Sequence, residues 1–258
     1  MAGNRPLLAG LASRLGLARP TGPDCIALGT FCHVAAALRE AGLRRWTGPF
    51  DWIFSTPAMI AACLADGCAA LLDSAELASV PPAELTAGAA RQCRHPRFEA
   101  AYDLPTIFNH HDPAAEPRDA AALARAAERL RQALGPGRAN VLLMMSERRW
   151  PEPELAGLAR HIAGLPSRNT LVVLTAEGGA TRSGWSVEAD ATDGAFRRID
   201  IRLGVRSRSL GVRFADPADD AYLREVLPVI ARAAVPPAAG LRPAACPPAE
   251  PAPAEPTS

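Results

Sequence analysis

The sequence predicts an α/β domain, a mainly parallel sheet flanked by helices. Three observations lead there: an apolar run closed by Gly29 and followed by a helical pattern, an alternation of strand-like and helix-like segments in the second half, and a composition of 48% hydrophobic and 21% charged residues over 258 positions. Parallel strands buried on both faces read as unbroken apolar runs, and their alternation with helices is the pattern of βαβ units. A chain of this length can bury one large core. One domain at 23–234 is therefore expected, between an N-terminal arm at 1–22 and a disordered Pro/Ala-rich tail at 235–258 that cannot bury enough apolar surface to order itself.

In chain order, Asp24-Cys25-Ile26-Ala27-Leu28-Gly29 reads as a buried strand entering a tight turn. Thr30 can cap a helix over 31–42, in which Val34, Ala35, Leu38 and Ala41 recur at helical spacing and Gly42 is the stop. The aromatic block Pro49-Phe50-Asp51-Trp52-Ile53-Phe54 precedes an apolar helix over 57–72, with Pro57 suited to its first turn. The stretch 74–105 is irregular, and Ile107-Phe108-Asn109-His110-His111-Asp112-Pro113 reads as a loop. A helix over 117–134 ends at Gly135-Pro136-Gly137. A strand at 140–145, a helix at 154–163, a strand at 170–175, a half-solvated strand at 196–203 and a closing helix at 221–234 complete the domain.

Bulk properties exclude several classes of function. A formal net charge of +1 gives no field to hold nucleic acid. Arg, Asp, Glu or Pro interrupts every candidate for the roughly 20 apolar residues that span a bilayer, and the first residues lack the apolar run of a secretory signal. A soluble cytoplasmic protein with reduced thiols is expected. Cys63, Cys68, Cys93 and His95 have poor spacing for a metal clamp, since a helix would point Cys63 and Cys68 in different directions. No phosphate-binding glycine motif occurs, so neither metal nor cofactor is expected.

The residue placed for chemistry is Cys32. At the second position of a helix capped by Thr30, free N–H groups and the helix dipole favour a thiolate and offer donors to an oxyanion. The other reading is a buried thiol packing as a small apolar side chain, which is assigned to Cys25, Cys63 and Cys68. A nucleophilic thiol needs a base. His33 adjoins Cys32 and points away from it, and His161 sits on a surface helix. His110 and His111 lie in a loop that can deliver a ring into a cleft, or that is simply a turn punctuated by Asp112-Pro113.

Taken together, Leu28-Gly29-Thr30-Phe31-Cys32-His33-Val34-Ala35, then Leu38-Arg39-Glu40-Ala41-Gly42-Leu43-Arg44, then Pro49-Phe50-Asp51-Trp52 and Phe108-Asn109-His110-His111-Asp112 resemble an uncharacterised family described as papain-like cysteine peptidases. The resemblance covers about the first half of the chain. It implies Cys32 as nucleophile and His111 as base, because His111 directly precedes Asp112; His110 is the alternative. Phe31 stands where that family commonly carries a polar residue. A papain-like fold would be α+β with an antiparallel sheet, whereas the alternation in this chain predicts α/β. Asp51 can orient the imidazole or pair with Arg39 or Arg44.

The expected function is a cysteine peptidase or related thiol hydrolase or acyl transferase, acting on a peptide or acyl substrate through Cys32, His111 and Asp51. The alternative is a domain that binds a small anionic or sugar-like ligand, with the motif residues shaping the core and Arg148 and Arg149 meeting the ligand.

Overall fold

The computed structural model describes residues 22–236, so all but the innermost residues of the expected arm and tail lie outside the described residues. In chain order the elements are β1 (Asp24–Ala27), α1 (His33–Glu40), α2 (Pro57–Ala65), α3 (Ala69–Leu72), β2 (Ala78–Ser79), β3 (Cys93–Arg94), α4 (Pro96–Tyr102), α5 (Pro117–Ala133), β4 (Ala139–Ser146), α6 (Glu152–Ala163), β5 (Arg168–Glu177), β6 (Gly184–Asp193), β7 (Phe196–Gly204) and α7 (Pro217–Ala233). Five strands form one sheet in the order β1-β4-β5-β7-β6. β1, β4, β5 and β7 are parallel, and only β6 runs antiparallel, along β7. The fold is α/β, as the alternation predicts.

The unbroken apolar run of β4 serves two cores at once, because successive side chains of a strand point to opposite faces. Val141, Leu143 and Met145 pack with Val34 and Leu38 of α1 and Leu223 and Leu227 of α7. Leu142 and Met144 join Met59 and Ile60 of α2, Leu130 of α5 and Leu158 and Ile162 of α6 on the other side. Each of these fully buried side chains contributes ~2 kcal/mol. No helix among the described residues is long and apolar enough to cross a membrane.

Three elements differ from expectation. The helix expected over 57–72 is broken: Gly67 and Cys68 take positive φ of 65° and 68°, and the Asp66 carboxylate accepts from the Ala69 and Ala70 amides to start α3. That turn brings the Cys68 thiol back into hydrogen-bonding contact with Cys63, which an unbroken helix would have prevented. No strand is expected at β6, although Trp185, Val187, Ala189 and Ala191 alternate with polar residues; it is exposed along nearly its whole length, with a bulge between Val187 and Ala189. The stretch read as irregular holds the small β2–β3 hairpin and α4, whose N-cap is the His95 ring accepting from Phe98 N at 3.3 Å.

One buried carboxylate ties α7 to the loop that follows β7. Asp219 accepts from the Arg206 amide at 3.1 Å, from the Ser207 amide and hydroxyl at 2.9 and 2.8 Å, and from the Ser183 hydroxyl at 3.0 Å. Burial pushes this carboxyl up, but the donors from Arg206, Ser207 and Ser183 outweigh it and hold the group below its ordinary range. Asp219→Ala leaves those donors unmatched and is expected to cost about 2–4 kcal/mol in urea unfolding at pH 7. A depressed carboxylate stabilises the fold fully above its unfolded pKa and loses that contribution as pH falls through the folded value. The penalty of the variant is therefore expected to shrink in melts taken near pH 3.

Candidate functional site

The carboxyl end of β1 turns into α1 through two residues of positive φ, Gly29 at 82° and Thr30 at 75°. Positive φ is uncommon for Thr, and the surroundings enforce it. Ser55 Oγ accepts from Thr30 N at 3.0 Å and donates to Leu28 O at 3.3 Å, and the Thr30 hydroxyl donates to the Met145 carbonyl of β4. Thr30 is thus bound to the sheet and does not cap α1. The N-cap position falls to Cys32, whose side chain makes no capping hydrogen bond.

Cys32 is only 4% exposed. Burial pushes its thiol up to about 11; a backbone N–H bond acts the other way, and the charge of Asp51 adds to the rise. The lowered pKa expected from the helix head is therefore outweighed by desolvation.

Asp51 is settled by geometry. Its carboxylate is 1% exposed and takes a 2.7 Å hydrogen bond from Arg44 Nη1. Burial raises it to about 6, with Arg44 and the Gly48 amide pulling it down. The guanidiniums of Arg39 and Arg44 lie 5.5 and 5.3 Å from the centre of the Trp52 ring. The Leu-Arg-x-x-Gly-Leu-Arg and Pro-Phe-Asp-Trp segments therefore clamp each other, through one buried ion pair and two cation–π contacts. Asp51 orients Arg44, not an imidazole.

His111 is 40% exposed and its Nδ1 lies 3.5 Å from Asp119 Oδ1. Asp119 also accepts from Arg91 Nε at 3.1 Å and from the Asp112 amide at 2.8 Å. Asp112 itself caps the turn after it, accepting from the Ala114 and Ala115 amides at 3.1 Å each. His111 and Asp119 line a cavity of about 240 Å³ together with Gly48, Trp52, Ile53 and Phe108. Cys32 is not part of that lining, and no imidazole bonds its sulfur among the described residues. His110 is exposed. Asp51 thus lies near enough to Cys32 to act on it electrostatically and His111 pairs with Asp119, but among the described residues no hydrogen bond or ion pair links the two pairs.

A third arrangement escaped the sequence reading. His33, 1% exposed, has Nδ1 2.9 Å from Ser209 Oγ and Nε2 3.2 Å from Asp220 Oδ1. These partners lie 176 and 187 residues away in the chain, so no local pattern announces them.

The fold and these clusters define an α/β protein with titratable groups gathered around the carboxyl end of a parallel sheet, where such sheets form ligand crevices. No family model matches the chain, and neither curated proteins nor solved structures provide a match.

Proposed function

We propose that this protein is a thiol-dependent hydrolase or acyl transferase, related in mechanism to cysteine peptidases, with Cys32 as its nucleophile. The observation that carries the reading is the position of Cys32 at the head of α1, directly past the turn that leaves β1. Amides at a helix start can hold the oxyanion that forms when sulfur attacks a carbonyl. At rest the thiol is neutral and covered, so turnover requires substrate binding to uncover it and an imidazole to take its proton. His111 is the base we assign, with Asp119 as the carboxylate that orients it. The substrate is a peptide or another acyl compound. A reducing cytoplasm belongs to the same reading, since the cysteines of the described residues are all free.

A second reading is favoured by the clamp around Asp51 and by the burial of Cys32. There the motif residues serve packing, and the cavity of Trp52 and Phe108 takes a small sugar-like ligand, with His111 and Asp119 as its polar contacts.

Iodoacetamide labelling of the native protein, mapped by mass spectrometry, separates the two readings. With a peptide substrate present, Cys32 is expected to label faster than the half-buried Cys25, and Cys32→Ala to lower peptide turnover by about 100-fold or more while the circular dichroism spectrum is kept. Labelling of Cys32 no faster than Cys25, with turnover intact in Cys32→Ala, hands the site to the second reading.

A further inference from the structure

We infer that Ser209, His33 and Asp220 form a second reactive centre, separate from Cys32, in which Ser209 Oγ can accept an acyl group from a carboxylic ester.

Proton bookkeeping on the three side chains leaves one solution. Asp220 Oδ1 accepts from the Phe214 amide at 3.0 Å, and a carboxylate has no proton to give, so His33 Nε2 must carry the hydrogen that points at it. A neutral imidazole with its proton on Nε2 has a bare Nδ1 lone pair. Ser209 Oγ already accepts from the Gly211 amide at 3.1 Å, so its own O–H is the donor to that lone pair, across 2.9 Å. The chain of donors runs hydroxyl to imidazole to carboxylate, which is the polarity a serine nucleophile needs. Burial favours the neutral ring, with Asp220 pulling the other way and the balance lying below the ordinary histidine range.

Three separate elements hold this arrangement. His33 opens α1, Asp220 sits in the first turn of α7, and Ser209 starts a short hairpin that closes on Phe214, whose ring meets His33 edge-on at 4.4 Å. The Ser209 amide is held in turn by the Glu147 carboxylate just past β4. The imidazole is locked, while Ser209 is only partly buried. Beside it the hairpin exposes Leu210 and Val212 at 53% and 41%, apolar surface that suits the acyl part of an ester rather than a charged substrate. Since both ring nitrogens of His33 are engaged here, His33 is not the base for Cys32, although the two are neighbours in sequence.

In the reaction Ser209 Oγ forms a bond to the ester carbonyl carbon and passes its proton to His33 Nδ1. The carbon–alkoxide bond then breaks, and the alcohol leaves with that proton. Water reverses the sequence to release the acid and restore Ser209. Asp220 acts on the reaction only through His33 and is a positioning residue.

The test uses the full chain with a fluorophosphonate probe and with p-nitrophenyl butyrate. Attack of Ser209 on the probe forms a phosphorus–oxygen bond and expels fluoride, the proton leaving through His33. The expected result is a phosphonylated peptide containing Ser209, lost in Ser209→Ala and slowed ~100-fold or more in His33→Gln, with full labelling kept in Cys32→Ala. Should His33→Gln fail to fold, Asp220→Asn serves in its place with a smaller slowing. Ser209 left unmodified in the wild type, or modified at an unchanged rate in both relay variants, overturns the proposal and leaves the three residues as a tie between α1, α7 and the hairpin. Ester turnover that vanishes in Cys32→Ala but survives in Ser209→Ala also overturns it, while leaving the Cys32 reading in place.

Discussion

Gly29→Ala is expected to destabilise the protein by roughly 3–5 kcal/mol, a penalty in the range reserved for core overpacking and backbone strain. A Cβ built on Gly29 would lie 2.5 Å from Ser55 Oγ, 2.9 Å from the Phe50 carbonyl oxygen and 3.2 Å from Phe50 Cβ, at a φ of +82°. The Ser55 hydroxyl could rotate away, but only by giving up its bonds to Leu28 and Thr30. The Phe50 carbonyl is backbone and cannot rotate. Glycine is thus the residue that lets the Pro-Phe-Asp-Trp segment lie directly on the turn carrying Cys32. Urea unfolding measures the effect. A loss below about 1 kcal/mol would mean that the segment over 50–55 slides without cost and that the turn at Gly29 is loosely held.

Arg44→Ala is expected to cost about 3–5 kcal/mol at pH 8, because it strands the Asp51 carboxylate in the interior without its counter-ion. Part of the loss also comes from the cation–π contact to Trp52. The pH dependence has a definite sign. Asp51 is raised by burial to about 6, above its unfolded value, so its titration favours the folded state at low pH and that contribution is lost as pH rises through about 6. Below that point Asp51 is neutral and Arg44 has no charge to match. The penalty of Arg44→Ala is therefore expected to be clearly smaller at pH 5 than at pH 8, and Asp51→Asn added to it should recover part of the loss at pH 8. Equal penalties at both pH values would show that packing on Trp52, rather than charge, is what Arg44 supplies.

The parts of the fold legible in the sequence are those whose burial is set by local pattern. Val141 to Met145 and Leu171 to Leu174 are apolar on both faces because both faces are covered, and that reads directly as parallel strands. β6 alternates Trp185, Val187, Ala189 and Ala191 with Ser186, Glu188, Asp190 and Thr192, a strand signal that the sequence does carry, but it is exposed along nearly its whole length and is held by its pairing to β7. The break after α2 turned on Gly67, a residue that a helical pattern tolerates on paper.

The candidate site divides in the same way. The placement of Cys32 at a strand-to-helix turn follows from Leu28-Gly29 and the spacing of Val34, Ala35 and Leu38. Its burial does not; even the segment that packs on the turn at Gly29 comes about twenty residues later in the chain, and no periodicity describes its path. For Asp51 the sequence left two partners open, and the 2.7 Å contact with Arg44 decides between them. A helix turns His33 away from Cys32. Nothing in a helical pattern reveals what a ring turned away will meet, and Ser209 and Asp220 arrive from the far end of the chain.

The acidic, bulged strand at the far side of the sheet has a consequence for association. An unpaired strand edge is a template on which another copy can add, and natural proteins discourage this with charge and irregularity. Glu188 and Asp190 are already matched by Arg149 and Arg197, so what discourages a docking strand is the irregularity between Val187 and Ala189, which spoils the register it would need. Exposed Trp185 and Val187 are the apolar side chains that this irregularity keeps from meeting a matching strand of a second copy.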